Sequence, residues 1–321
     1  MNEGKLVGLK VDVDTFRGMR EGVPKLLDLF AGLHVRASLF VPMGKDHTGW
    51  TAKRIFTRPG FVSKAQRVGV LETYGLKTLM YGLLLPGPEI AKKNGPLIAR
   101  IMEEGHELGI HGLDHVWWHD HIKHLDRETT EKILGEATDT YREMTGTAPL
   151  SFAAPGWMIN GHALAFFQRE GFLYTSDVRG SSPFLPIMAG QTYRVLQVPT
   201  TLPTLDEVVG LEGRTQDELA DYFVKSLTED LNILTVHAEL EGNRWTGFLE
   251  AFIQRALALG FRFERLIDAA RRLEPGKLPA CEVVYGQVRG RAGEVTQQGP
   301  PKNRQNQTGM CVVARSVGAT T

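Results

Sequence analysis

The sequence predicts an α/β fold with a mainly parallel sheet or barrel. The first observation is that apolar runs of strand length alternate with segments of helical spacing along most of the chain. The second is that polar residues able to do chemistry recur where these predicted strands end. The third is composition: 321 residues, with 42% apolar and 23% charged side chains, fit one large globular domain or two small ones.

The strands are predicted from short apolar runs bounded by polar or turn-forming residues. The first, KLVGLKVDVD over 5–14, reaches its end at two aspartates. The other predicted strands are 37–41, 106–111, 150–156, 174–177, 193–200 and 232–238.

The helices are predicted from apolar residues spaced three and four apart. Pro24 suits the first turn of a helix over 23–34. Asp126 predicts an N-cap and Gly146 a stop for a long helix over 126–146. The other predicted helices are 96–105, 160–170, 215–229 and 247–259, and the segment 261–273 closes the pattern.

Two regions break this alternation. Residues 45–94 are too long for a plain connection, so we expect an insertion with a function or a disordered loop. From about residue 286 the chain is rich in Gly, Gln and charge, and we expect 286–321 to be mostly disordered. The folded domain is therefore expected over 4–275.

Composition excludes several function classes. Thirty-seven basic and 37 acidic residues cancel, so no nucleic-acid partner is expected. The two cysteines, Cys281 and Cys311, form no disulfide framework or zinc finger and fit a reducing compartment. The N-terminus has no secretory leader and no apolar stretch reaches the roughly 18 residues of a membrane span, so we expect a cytoplasmic protein.

The strand over 5–14 ends in Asp12 and Asp14, two residues apart and so on one face of the strand. Two carboxylates this close repel each other unless a cation lies between them or one is protonated. The alternatives are a solvated turn, or the metal-holding D-x-D of a glycosyltransferase.

Histidines supply a second candidate cluster. Six of the ten histidines lie within 106–124, among them His111 and His115. Four residues apart, their imidazoles would meet on one side of a helical turn and could share a metal. The alternative is an exposed polar loop.

A third candidate is His237, at the end of the apolar run NILTVHA. Its imidazole titrates near neutral pH and could act as a general acid or base. The alternative is a core histidine with its hydrogen bonds satisfied. Asp177, in YTSDVRG, could orient this imidazole or could simply cap a turn.

Together these motifs resemble the polysaccharide deacetylase (NodB-like) family of metal-dependent sugar N-deacylases. The stretches VDVDTFRG, HGLDHVWWHDH, YTSDVRG, VPTTLPTLDEV and TVHAELEG are similar, more narrowly, to the deformylases that act on lipid-linked 4-deoxy-4-formamido-L-arabinose in lipid A modification. The similarity extends over about residues 5–275. It implies a distorted, incomplete (β/α) barrel of the NodB type, with a long insertion after the second strand.

The resemblance also implies roles for the residues. It makes Asp12 the general base and His237 the general acid, with Asp14, His111 and His115 holding one divalent metal ion, which could be zinc, cobalt, manganese or iron. The products would be formate and 4-amino-4-deoxy-L-arabinose-phosphoundecaprenol, which serves lipid A modification and polymyxin resistance.

One position departs from the family pattern. Many members carry an Arg-x-Pro motif whose arginine pairs with the catalytic aspartate, but FAAPGW places Ala153 there. Arg179 and Arg17 are our candidates to supply the missing charge. The residues expected to shape the substrate pocket are Pro155, Gly156, Trp157 and Glu239.

A polyprenyl-phosphate-linked amino sugar requires contact with the cytoplasmic face of the inner membrane. Residues 53–77 carry six basic side chains against one acid, Glu72, and an apolar run over 76–87 follows. This pattern predicts an interfacial element that touches anionic lipid. The alternative is an amphipathic helix packed on the barrel.

Three other functions stay open at this point. The same chemistry could act on another N-acetylated sugar of peptidoglycan or polysaccharide, although the absent arginine and the HAELEG stretch argue against it. A D-x-D glycosyltransferase would not account for the three candidate histidines. A metal-free sugar- or membrane-binding module would not need all five polar positions.

Overall fold

The computed structural model describes residues 4–53 and 70–302. Its strands are β1 (Leu6–Asp12), β2 (Ser38–Val41), β3 (Glu107–Ile110), β4 (Ser151–Phe152), β5 (Tyr174–Thr175), β6 (Leu185–Met188), β7 (Gln191–Thr192), β8 (Leu196–Gln197), β9 (Leu231–His237), β10 (Arg262–Glu264), β11 (Ala280–Gln287) and β12 (Glu294–Pro301). Its α-helices are α1 (Val23–Gly32), α2 (Val70–Leu79), α3 (Gly95–Glu103), α4 (His115–His121), α5 (Arg127–Thr145), α6 (Gly161–Glu170), α7 (Leu205–Val208), α8 (Gln216–Lys225), α9 (Thr246–Ala258) and α10 (Leu266–Arg272).

The main sheet is parallel throughout and has eight strands. Its order is β9-β1-β2-β3-β4-β5-β8, and β10 pairs with the first half of β1. The segment after β8 reaches back to β9, where the amides of Thr201 and Leu202 both donate to the carbonyl of Ile233 at 3.2 and 3.1 Å. The sheet is therefore curled toward closure, which confirms the incomplete barrel.

The helices predicted from periodicity are present within a few residues of their expected limits. Helix α1 buries Leu26, Leu27 and Phe30 in the core. Asp126 accepts a hydrogen bond from the Thr129 amide at 2.8 Å as the N-cap of α5, and Gly146 ends that helix with φ 69°. Among the described helices, none is long and apolar enough to cross a bilayer.

A second sheet, of order β12-β11-β6-β7, was not predicted. Strands β11 and β12 form an antiparallel hairpin, and β11 pairs in parallel with β6. The Thr296 hydroxyl in β12 donates to the carbonyl of Trp157 at 2.9 Å and lies 3.1 Å from that of Asp177. The expected disorder from residue 286 is therefore wrong up to residue 302, because contacts with distant parts of the chain order a segment whose composition favours disorder. Residues 303–321 lie outside the described residues.

The long insertion follows β2, as expected. Its described parts include a 3-10 segment at Thr48–Lys53 and the helix α2, in which Gly75 breaks the helical geometry with φ 74°. Four of the six basic residues expected to touch lipid (Arg54, Arg58, Lys64, Arg67) fall outside the described residues.

Candidate active site

Three side chains converge at the carboxyl end of the main sheet. The Asp14 Oδ1 atom lies 3.4 Å from His111 Nε2 and 3.2 Å from His115 Nε2. These ligand atoms all fall within 4.8 Å of one another, and Asp14 Oδ1 is buried with no hydrogen-bond partner in the described part of the chain. One carboxylate and two imidazole nitrogens in such a cluster are a ligand set for a divalent metal ion with positions left open.

The orientation of His111 also fits a metal. Its Nδ1 lies 2.8 Å from the carbonyl of Ala153 and therefore carries the proton, so the Nε2 lone pair faces Asp14. Burial would raise the pKa of Asp14, but the charges of nearby histidines outweigh burial and hold it well below its usual range. The carboxylate is therefore ionised, as a metal ligand must be.

His111 and His115 do not lie on one helical turn, although their spacing of four residues was interpreted in that way. His111 directly follows β3, Gly112 turns the chain with φ 78°, and His115 opens α4 after its N-cap Asp114. The pair is brought together by a strand–turn–helix junction. That these residues hold a metal stays a prediction, and the helical spacing invoked for them is corrected.

Asp12 has a cationic partner that sequence reasoning missed, namely Lys10. The Lys10 Nζ atom lies 3.2 Å from Asp12 Oδ2 and donates to the carbonyl of Ser176 at 3.1 Å. Both side chains are buried, and Lys10 Nζ also lies 5.0 Å from the centre of the Trp157 ring. Since positions 10 and 12 share one strand face, the KVD pattern was the available signal.

The two arginines proposed for this role lie elsewhere. Arg179 pairs with Glu207 at 2.6 Å, and Arg17 pairs with Glu21 at 2.8 Å. The missing Arg-x-Pro charge is therefore supplied by Lys10, from the strand that carries the aspartate. Among the described residues, the other oxygen, Asp12 Oδ1, is buried and has no hydrogen-bond partner.

His237 stands beside Asp12 because β9 and β1 pair in register, with Asp12 opposite His237. Burial would lower the pKa of His237, but the surrounding carboxylates outweigh burial and raise it. These carboxylates are Asp14, Asp206, Glu241 and Asp12. A raised pKa favours the imidazolium, the form that can act as a general acid.

Asp177 faces the Lys10 side of the site and not His237. Its Oδ2 accepts from Gln197 Nε2 at 3.0 Å, and its charge acts on Lys10. Complete burial raises the pKa of Asp177 to about 6. The carboxylate that holds the backbone of His237 is Glu241, which accepts from the His237 amide at 2.8 Å. The prediction that Asp177 orients His237 is therefore corrected.

Glu239 holds the loop that carries Asp14. Its Oε1 accepts from the amides of Asp14 and Thr15 at 3.1 and 2.8 Å, and from the Thr15 hydroxyl at 2.7 Å. A Cβ at Gly18 would lie 1.9 Å from the same oxygen, so only glycine permits this approach. The contacts of Glu239 make it a positioning residue, and substrate binding by its unpartnered Oε2 stays a prediction.

Pro155, Gly156 and Trp157 form a 3-10 turn that walls the site. Gly156 and Trp157 both have positive φ, 63° and 54°. That conformation is strained for tryptophan. It holds the indole 6.2 Å from the His237 ring, with Nε1 donating to the Thr200 hydroxyl at 3.0 Å. Trp157 is buried, so its ring supports other side chains.

Comparison with known proteins gives a consistent picture. The polysaccharide deacetylase family matches residues 2–174. The chain is 35% identical over 303 residues to a probable 4-deoxy-4-formamido-L-arabinose-phosphoundecaprenol deformylase ArnD from Shewanella sediminis, covering 93% of this chain and 96% of that relative. A protein of the same description from Wigglesworthia glossinidia brevipalpis is 29% identical over 286 residues, covering 88% and 98%.

Among solved structures, a putative polysaccharide deacetylase from Mycobacterium smegmatis has the same fold. It superposes with a TM-score of 0.61 at 18% sequence identity, covering 89% of this chain and 96% of that chain.

Replacing Lys10 tests its pairing with Asp12. Lys10→Met removes the cation that pairs with Asp12 and leaves a buried carboxylate uncompensated, so activity at neutral pH should fall by roughly tenfold to a thousandfold. Lys10→Arg keeps the charge and should retain most activity. The measurement is the turnover rate at neutral pH, with Arg17→Ala as the control. A Lys10→Met turnover rate equal to that of the wild type would contradict the assignment.

Asp177→Asn tests the raised pKa of Asp177. Because the folded state favours the protonated acid, its contribution to stability is complete below the unfolded pKa and declines as pH rises through about 6. The Asp177→Asn variant has no titrating group at this position, so it loses no stability in this way. Between pH 5 and pH 8 the stability of Asp177→Asn relative to the wild type should therefore improve by about 1 kcal/mol. Urea denaturation at both pH values measures this.

The exposed Asp139→Asn is the matched control for that comparison and should show no such improvement. An equal difference between Asp177→Asn and the wild type at the two pH values would refute the raised pKa.

Proposed function

The chain belongs to the polysaccharide deacetylase family, and on this premise we propose that it hydrolyses the formamide of lipid-linked 4-deoxy-4-formamido-L-arabinose. The products are formate and 4-amino-4-deoxy-L-arabinose-phosphoundecaprenol. The choice of substrate rests on relatives that span nearly the whole chain and are named for it. The released amine would add positive charge to lipid A, the chemistry behind polymyxin resistance.

The observation that carries this proposal is the placement of Asp12 and His237 side by side next to the Asp14–His111–His115 cluster. A base and an acid flank one three-ligand site, as hydrolysis of an amide requires. A glycosyltransferase has no use for this pair, so that alternative is not supported.

The residues divide the reaction between them. A divalent metal held by Asp14, His111 and His115 would polarise the formyl oxygen and lower the pKa of water. Asp12 Oδ1 accepts the proton of the attacking water, while Lys10 pairs with the other oxygen of this carboxylate. His237 donates a proton to the sugar nitrogen as the C–N bond breaks.

The ligand set leaves the identity of the metal among zinc, cobalt, manganese and iron. One carboxylate and two imidazoles are acceptable to each of these ions. The cluster is also the part of the site that an N-deacetylase acting on another acyl sugar would share. The substrate therefore has to be decided by assay with both acyl groups.

We place the enzyme at the cytoplasmic face of the inner membrane, since its substrate is lipid-linked. Three leucines of the insertion support this: Leu76, Leu83 and Leu84 are 69%, 56% and 79% exposed. Their apolar side chains lie on one segment of the insertion. Such a patch can enter the interfacial region of a bilayer without a spanning helix.

Formate release tests the proposed function. Purified enzyme with phosphoprenyl-linked 4-formamido-arabinose should release formate, and a chelator should abolish release until metal is restored. Asp12→Asn should lower turnover by about a hundredfold or more and keep its metal, whereas His111→Ala should lose the metal itself. Elemental analysis separates these two losses. Turnover of the N-acetyl analogue in place of the formyl sugar would favour the alternative substrate.

Vesicle co-sedimentation tests the leucine patch. The double variant Leu83→Ser/Leu84→Ser should bind vesicles of anionic phospholipid roughly tenfold more weakly, because apolar area no longer enters the interface. Leu211→Ser/Leu259→Ser is the matched control, since these leucines are 45% and 53% exposed elsewhere. Equal vesicle binding by the two double variants would show that Leu83 and Leu84 do not contact the membrane.

A further inference from the structure

The C-terminal hairpin places a buried guanidinium close to the active site. Arg291 lies in the turn between β11 and β12, and its amide donates to the carbonyl of Val288 at 3.1 Å. Gly290 and Gly293 bracket it with φ of 85° and 87°. A Cβ at Gly290 would lie 2.2 Å from the carbonyl of Glu207, so the turn is pressed against α7 and only glycine fits.

Two arginines meet over one aromatic ring at this point. The guanidinium carbons of Arg291 and Arg179 lie 4.4 and 5.2 Å from the centre of the Trp157 ring. Their side chains are only 9% and 11% exposed. Trp157 is the residue whose ring also contacts His237. The arginines therefore stand one indole away from the general acid.

The charges of these arginines are not balanced by their ion pairs. Among the described residues, both pair with a single carboxylate, Glu207, at 2.6 Å from Arg179 and 3.5 Å from Arg291. Glu207 already accepts from the Thr204 amide as part of a helix cap. Two guanidiniums thus share one anion, which leaves one positive charge in excess.

The hydrogen bonds of the arginines are incomplete as well. Arg179 donates to Glu207 and to the carbonyl of Leu202, but its Nε has no partner among residues 4–53 and 70–302. Over the same residues, the Nη1 of Arg291 is buried and also without an acceptor. Within the described part of the chain, the Arg291 side chain makes no hydrogen bond. A buried guanidinium without acceptors is costly, so an anionic ligand is the group that this arrangement lacks.

We propose that Arg291 and Arg179 bind the phosphodiester that joins the sugar to its lipid. A phosphodiester carries a single negative charge, which matches the excess, and guanidinium forks suit its oxygens. This inference rests on the proposed function. A sugar ring that presents its formamide to Asp12 and His237 carries the phosphodiester on its opposite side. The ring would then span from the metal cluster to the arginine pair.

Binding of reaction product tests this without turnover. Calorimetric titration of the metal-loaded enzyme compares a 4-amino-arabinose phosphodiester bearing a short prenyl chain with the neutral methyl glycoside of the same sugar. Wild type should prefer the phosphodiester, and Arg291→Gln should reduce that preference by about tenfold to a hundredfold. Arg291→Lys keeps the charge without the fork and should show a smaller loss.

Arg289→Gln is the matched control, since Arg289 lies in the same turn, is 80% exposed and pairs with Glu212. It should bind as the wild type does. Thermal unfolding checks that each variant folds, and Arg291→Lys decides the question if Arg291→Gln does not. The proposal is overturned if the deciding variant keeps the wild-type preference for the phosphodiester, or if the wild type shows no such preference. Inorganic phosphate binding as tightly as the phosphodiester would overturn recognition of the linkage.

The formate assay on the same samples separates the two hypotheses. Formate release together with an unchanged preference in Arg291→Gln leaves the proposed function standing and removes the phosphodiester site. A preference that depends on Arg291 without formate release supports the site and removes the deformylase assignment.

Discussion

The active site depends on three charged side chains, two of them buried, that are grouped at the end of β1. Lys10 and Asp12 lie on one face of β1, and Asp14 follows two residues after the strand ends. Buried charges are stable only when paired. Lys10 pairs with Asp12, and Asp14 is left facing two imidazoles, where a metal cation would complete the balance of charge. The order of residues at the end of β1 thereby gives the two carboxylates different partners.

The neighbouring strands are arranged to serve this face. Parallel pairing on both edges of β1 brings the ends of β9 and β2 level with Asp12, which delivers His237 from one side. The two residues that follow His237 by two and four positions then perform different tasks. Glu239 holds the loop of Asp14, and Glu241 holds the backbone of His237 itself. The HAELEG stretch therefore positions the loop of Asp14 and the backbone of His237.

Much of this could be predicted from the sequence, because strand ends and helix caps are local signals. Asp12, Asp14 and His237 follow apolar runs, and a parallel sheet gathers such ends. Lys10 was missed because a lysine inside a strand looks solvent-facing until the register is known. Arg291 was missed because it lies in a segment that was expected to be disordered. Composition indicates only whether such a segment would become ordered on its own. Here order comes from partners distant in sequence, such as the β6 strand and the carbonyl of Trp157.

Trp157 shows why the hairpin and the barrel act as one unit. Its indole meets three cations, Lys10, Arg179 and Arg291, and each comes from a different part of the chain. An aromatic face attracts cations while excluding water, so it can hold several positive charges close together without a matching number of carboxylates. The positive φ of Trp157 is the conformational cost of placing the ring there. The strained turn thus gathers one cation beside Asp12 and two beside Glu207 around the same ring.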